Sequence, residues 1–144
     1  MDKRSMSEIV FRIVQSYRLA MRSSLNAGEI GLNAMHVRCL SLIDKSDVCT
    51  ANDIVTALAR DKAQIARLIK EMIERNWLTK VANPEDKRSQ LLSLTEEGRA
   101  LAKSIAETQI KVMKKMQENL TAAQLNEFSK TADLMAANLE KFNR

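Results

Sequence analysis

Turn-forming residues are scarce in this chain, which has 3 Gly and 1 Pro among 144 residues. That scarcity excludes a collagen-like repeat and argues against an all-β fold, which needs many tight turns. Histidine occurs once and cysteine twice, too few for a zinc centre of four cysteines or of paired cysteines and histidines. The five aromatic residues are scattered, so a stacking platform for single-stranded nucleic acid is not expected. No apolar run approaches the ~18 residues that span a bilayer, and the N-terminus lacks the apolar stretch of a secretory signal. No phosphate loop, zinc motif or nucleophile elbow is found. The expectation is a cytoplasmic protein with reduced thiols, no metal or cofactor, no membrane partner and no enzymatic activity.

What the chain does have is apolar residues at helical spacing. Residues 6–25 carry Val10, Ile13, Val14, Tyr17, Ala20, Met21 and Leu25 on one face. Ser5 and Glu8 resemble a capping box at the start of that helix, and Gly28 and Gly31 interrupt the pattern after it. Asn33 is placed to cap a second helix over about residues 34–44 that buries Met35, Val37, Leu40 and Ile43. Thr50 with Asp53 opens a short helix, and Asp61 with Gln64 opens another that runs to about Arg75. The latter has an unbroken stripe of Ile65, Leu68, Ile69, Met72 and Ile73. Asn76, tolerant of left-handed backbone, stops it.

The period then changes. Leu78 and Val81 fall in one short strand, and Leu92 and Leu94 in a second. Asn83 followed by Pro84 marks the turn between them. Thr95 is expected to cap a long helix reaching about residue 119, with Ala102, Ile105, Ala106, Val112, Met113 and Met116 inward. Thr121 and Gln124 open the last helix. Its apolar residues Leu125, Phe128, Ala132, Met135, Leu139 and Phe142 recur by steps of 3 and 4, the seam of helices lying along one another.

Charge supplies the functional clue. The chain is mildly basic at +5, and residues 59–90 alone hold 8 basic and 5 acidic groups. A polyanion would be drawn to that middle third. Two short helices joined by about three residues and followed by a hairpin make a helix-turn-helix with a wing, whose second helix enters the major groove. The apolar stripe of residues 61–75 leaves Ala63, Arg67, Lys70 and Glu74 on the opposite side, flanked by Gln64 and Glu71, with Lys62 in the first turn. Arg reads guanine bidentately and Gln reads adenine, while Lys supplies charge to phosphate. The small side chain of Ala63 permits close approach to the groove floor. At the hairpin tip stand Asp86, Lys87 and Arg88. Arg88 is the candidate for insertion into a narrow minor groove, with Asp86 expected to orient its guanidinium.

The stretch from Asp61 to Leu94 resembles the DNA-binding unit of the MarR family of winged-helix transcription regulators. The resemblance rests on Pro84, Asp86 and Arg88 followed by Leu94-Thr95-Glu96-Glu97-Gly98, and on the segment DKAQIARLIKEMIERNWL. Leu32-Asn33 matches a position where the family usually has Leu-Thr. Asn76-Trp77 replaces the usual Gly-Leu, Gln64 a frequent Ser or Thr, and His36 a common Gln. The resemblance implies a mainly α, single MarR-like domain over residues 1–144. Residues 33–95 would form the winged helix-turn-helix with its two-stranded wing, and residues 5–32 and 96–144 the N- and C-terminal dimerisation helices. It implies a homodimer built on Ile13 and Tyr17 of the first helix and on the Leu125-to-Phe142 seam. That dimer would bind a near-palindromic double-stranded operator with half-sites ~10 bp apart or multiples of that. A repressor is the usual role, and a small-molecule effector is compatible with it. The alternative is a winged-helix protein adaptor without DNA affinity. His36 is expected mid-helix in a structural role. Cys39 is expected in the core and Cys49 nearer the surface, both inert.

Overall fold

The structure, a computed structural model, describes residues 4–143. In chain order the elements are α1 (Met6–Leu25), α2 (Ala27–Ile30), α3 (Ala34–Lys45), α4 (Ala51–Leu58), α5 (Lys62–Glu74), β1 (Leu78–Ala82), β2 (Gln90–Leu94), α6 (Glu96–Met116) and α7 (Ala122–Phe142). The chain divides into two compact units, Met1–Ile110 and Lys111–Arg144.

Polar side chains start the helices where the sequence places them. Ser5, Asn33, Thr50 and Thr121 each accept the backbone N–H three residues on, and the residue at that position returns a bond to the cap's own N–H. Each of these reciprocal pairs satisfies two otherwise orphaned donors. Asp61 does half of this, accepting the Gln64 N–H at 2.8 Å. Helix ends follow left-handed backbone. Asn26 (φ 51°) ends α1, Gly31 (φ 76°) ends the single turn of α2, and Asn76 (φ 63°) follows α5. Helix α6 ends at Met116, three residues earlier than expected, and Asn119 (φ 63°) lies in the turn beyond it.

The core of the first unit lies among α3, α4, α5 and the hairpin. Leu40 and Ile54 are fully buried, as are Ile65 and Met72 on the inner face of α5. Trp77, just before β1, and Leu78 at its start close the core, and Ile105 and Ala102 of α6 are also buried. Strands β1 and β2 pair antiparallel, with Leu78 opposite Leu94 and Ala82 opposite Gln90. The far side of β2 is used as well. The Leu92 N–H donates to the Cys49 carbonyl at 2.8 Å, and Thr50 bridges Leu91. That pairing pulls Cys49 inward, so it is 2% exposed rather than near the surface as its loop position suggests. Cys39 is in the core as expected.

The second unit carries α7, none of whose residues is buried. Of its seam, Leu125 and Ala132 are half-buried. Phe128, Met135, Leu139 and Phe142 are exposed. In the first unit, Ile13 of α1 is exposed and Tyr17 half-buried.

Candidate nucleic-acid interface

Helices α4 and α5 pack against each other through a three-residue turn, Ala59, Arg60 and Asp61. Ala59 adopts φ 51°, and its N–H donates to the Val55 carbonyl. A left-handed alanine is costly because its Cβ crowds the following carbonyl, and here the packing of two helices imposes it. Asp61 then starts α5, whose Ile65, Ile69 and Met72 anchor the inner face. The outer face falls out of this geometry. Lys62, Ala63, Gln64, Arg67 and Lys70 are all exposed. Among the described residues, no carboxylate pairs with the charged groups of Lys62, Arg67 or Lys70. Arg67 and Lys70 on the outer face, and Lys62 in the first turn, are thus available to an external anion.

The wing tip is built from two consecutive turns. Asp86 N–H donates to the Asn83 carbonyl and Ser89 N–H to the Asp86 carbonyl, each at 3.3 Å. Asn83 Oδ1 accepts the Glu85 N–H at 3.0 Å, and Asn83 Nδ2 donates to Ser89 Oγ at 2.9 Å. Asp86 Oδ1 accepts the backbone N–H of Arg88 at 2.9 Å. The Asp86 carboxylate therefore shapes the turn, a local Asx bond, and among the described residues it makes no pair with the Arg88 guanidinium. Lys87 and Arg88 are exposed at the tip.

The base of the wing is locked to α6. Thr95 Oγ1 accepts the Gly98 N–H at 2.9 Å and donates to the Asn76 carbonyl at 2.6 Å. The Thr95 N–H donates to the Trp77 carbonyl at 3.1 Å. Gly98 is buried against that carbonyl, so closely that a Cβ there would overlap the Trp77 oxygen. The Leu-Thr-Glu-Glu-Gly run is thus a joint between hairpin and helix.

One group of residues behind α5 is not evident from sequence. His36 lies in the first turn of α3 rather than mid-helix, and it is 1% exposed. Its Nδ1 accepts the Asn33 N–H at 3.0 Å, and its Nε2 lies 3.3 Å from Glu71 Oε1, off the direction of a good hydrogen bond. The same carboxylate oxygen is 3.2 Å from Arg75 Nη2. Arg75 Nη1 donates to the Gly31 and Ile30 carbonyls at 2.8 and 3.2 Å. Trp77 meets the imidazole edge-on at 5.4 Å, and the Arg75 guanidinium lies 5.2 Å from the Trp77 ring. Burial holds the His36 pKa below its ordinary value against the opposing pull of Glu71, with Arg75 adding to the lowering. The i,i+4 spacing of Glu71 and Arg75 is the one sequence signal for part of this group. Burial also pushes the Cys39 thiol up to about 11 and raises that of Cys49.

No group of three or more His, Cys, Asp or Glu side chains is arranged to hold a metal among the described residues. No helix among them is long and apolar enough to cross a membrane.

A helix pair joined by a tight turn, an antiparallel wing and a cationic outer face on the second helix define a winged helix-turn-helix protein. The sequence model of the MarR family matches residues 30–89, from the end of α2 through the wing tip. Two curated proteins are similar to this chain. The uncharacterized HTH-type transcriptional regulator YdgJ of Bacillus subtilis is 26% identical over 92 residues, which is 64% of this chain and 56% of that one. The HTH-type transcriptional regulator BilQ of Clostridioides difficile is 28% identical over 94 residues, 65% of this chain and 62% of that one. The matches therefore span less than two thirds of either relative. Among solved structures, a cysteine-to-serine mutant of E. coli MarR complexed with operator DNA superposes with a TM-score of 0.78. It is 18% identical, and the match covers 90% of this chain and 92% of that one. That likeness establishes the fold.

Proposed function

We propose that the chain is a homodimeric regulator that binds double-stranded DNA in a sequence-dependent way. In this reading α5 enters the major groove and the wing follows the backbone into the adjacent minor groove. The observation that carries it is the exposed surface of α5, where Arg67 and Lys70 on the outer face beside Ala63 and Gln64, and Lys62 in the first turn, have no carboxylate partner among the described residues. Arg67 and Gln64 would read base edges, Lys62 and Lys70 would neutralise phosphate, and Arg88 with Lys87 would act from the wing, where Asp86 shapes the turn that presents them. The match of residues 30–89 to the MarR family model and the fold shared with an operator-bound structure support this reading.

Dimerisation is part of the proposal. On α7, Met135, Leu139 and Phe142 are exposed apolar side chains along one helix, and in this reading a second copy covers them; Ile13 of α1 is a further exposed apolar residue for such a contact. A two-fold pairing would present two copies of α5 to successive turns of one duplex face.

The test is selection of bound genomic fragments at physiological salt, followed by titration of one selected duplex. Arg88→Ala should weaken binding to all duplexes and reduce the salt slope by ~0.9 if one phosphate contact is lost. Arg67→Ala should lower affinity for the selected site more than for random competitor. A chain that prefers no duplex over competitor, with both variants unchanged, would be a protein adaptor instead.

A further inference from the structure

The group behind α5 has no evident part in holding DNA, since His36 is buried and Glu71 and Arg75 bond inward. It does connect three segments. Arg75, at the C-cap of α5, takes the two carbonyls at the end of α2. Glu71, one turn earlier on α5, faces the first turn of α3. His36 closes the ring through the Asn33 N–H. The bonds depend on one protonation state. With Nδ1 accepting from Asn33, the proton of the neutral imidazole sits on Nε2, toward Glu71. A second proton would have to go on Nδ1, where it would oppose the Asn33 N–H and remove the reciprocal cap of α3.

We propose that His36, Glu71 and Arg75 form a positioning strut that fixes α5 against the α2–α3 turn, and that protonation of His36 loosens it and lowers DNA affinity. This rests on α5 being the reading helix. Glu71 and Arg75 of α5 are the charged groups acting on the imidazole, the first favouring its protonation and the second opposing it. Trp77 is the uncharged ring that meets the imidazole edge-on. The geometry also limits what a substitution can do. Gln in place of His36 offers an acceptor for the Asn33 N–H but does not titrate.

The experiment follows affinity for one selected duplex as pH falls from about 8 to about 5.5 at constant ionic strength, a span that crosses the ordinary titration range of histidine. Wild type should lose about tenfold more affinity than His36→Gln over that range, within the usual size of coupled-site effects. Identical profiles for the two proteins overturn the proposal. Arg75→Gln supplies an independent arm. A positioning role predicts about tenfold weaker binding at an unchanged salt slope, whereas a slope shallower by ~0.9 would make Arg75 a phosphate contact and overturn it. Trp77, the sole tryptophan, reports on the strut without DNA. Its fluorescence should titrate in wild type and stay flat in His36→Gln. If it does so in a chain that binds no duplex, the strut is upheld as a proton-sensitive contact and the DNA reading is what fails.

Discussion

Replacing Gly98 with alanine opposes two effects of known sign. Gly98 occupies the first turn of α6, where helix propensity favours Ala by ~1 kcal/mol. Against that, a Cβ would overlap the Trp77 carbonyl oxygen and come within 3.0 Å of its carbon and 3.3 Å of Thr95 Oγ1. The obstacle is backbone and cannot rotate away, so the start of β1 and the start of α6 must separate. Overpacking of this kind costs ~1–3 kcal/mol. The separation also strains the Thr95 bonds to the Trp77 and Asn76 carbonyls, each worth ~1 kcal/mol. The steric and hydrogen-bond losses outweigh the propensity gain, leaving a net destabilisation of about 2 kcal/mol. For a chain of this length that lowers the melting temperature by about 4–8 °C. Urea unfolding followed by circular dichroism measures it. A Gly98→Ala protein as stable as wild type, or more so, would show that propensity decides at this position and that the wing–helix joint is not tight.

Ala59→Gly should be neutral or stabilising by up to ~1.5 kcal/mol, because removing Cβ relieves a left-handed alanine by ~1–2 kcal/mol while glycine costs ~0.5–1 kcal/mol in chain entropy; thermal melts check it, and a clear loss would mean that the turn holds Ala59 without strain. Cys39 and Cys49 should resist alkylation at neutral pH in the folded protein, since burial raises both thiols and the thiolate is the reactive form; labelling as fast as in denaturant would contradict that burial. Stability should depend on His36 as pH falls. Its folded pKa lies below the ordinary value of 6.5, so the unfolded chain takes up the proton first. The contribution is complete above pH 6.5, declines as pH falls from there to the folded pKa, and levels off below it. Denaturation midpoints of wild type and His36→Gln should converge or cross in that window, and a constant difference across it would refute the assignment.

Much of the fold is legible in the sequence because its determinants are local. A capping side chain and its partner lie three residues apart, and an amphipathic stripe repeats within one turn. Ser5, Asn33, Thr50 and Thr121 therefore mark helix starts that the structure keeps. The departures come where tertiary contacts decide. Cys49 lies in a loop with no periodicity, and its burial depends on pairing with Leu92, far along the chain. The single turn of α2 between Asn26 and Gly31 is too short to give a periodic signal. Charge and spacing alone assign Asp86 to the Arg88 guanidinium, but the backbone N–H of the same residue is closer to hand in so tight a turn and takes the carboxylate.

The candidate interface divides along the same line. Its outward residues are readable because one helix face must be apolar to fold, which leaves Ala63, Arg67 and Lys70 on the other, flanked by Gln64. What positions that face is not readable in the same way. Arg75 and Glu71 look like an ordinary i,i+4 surface pair, worth ~0.3–0.5 kcal/mol on an isolated helix. In the fold the guanidinium also takes the Gly31 carbonyl at 2.8 Å, and the carboxylate faces a buried imidazole at 3.3 Å. Gly31 must bring no side chain for this to occur, because a Cβ there would sit 2.5 Å from Arg75 Nη1, and its φ of +76° independently favours glycine. The glycine that ends α2 and the arginine that ends α5 thus depend on each other across 44 residues of chain. A change at Gly31 would reach α5 through Arg75 without altering a single residue on the outer face of that helix.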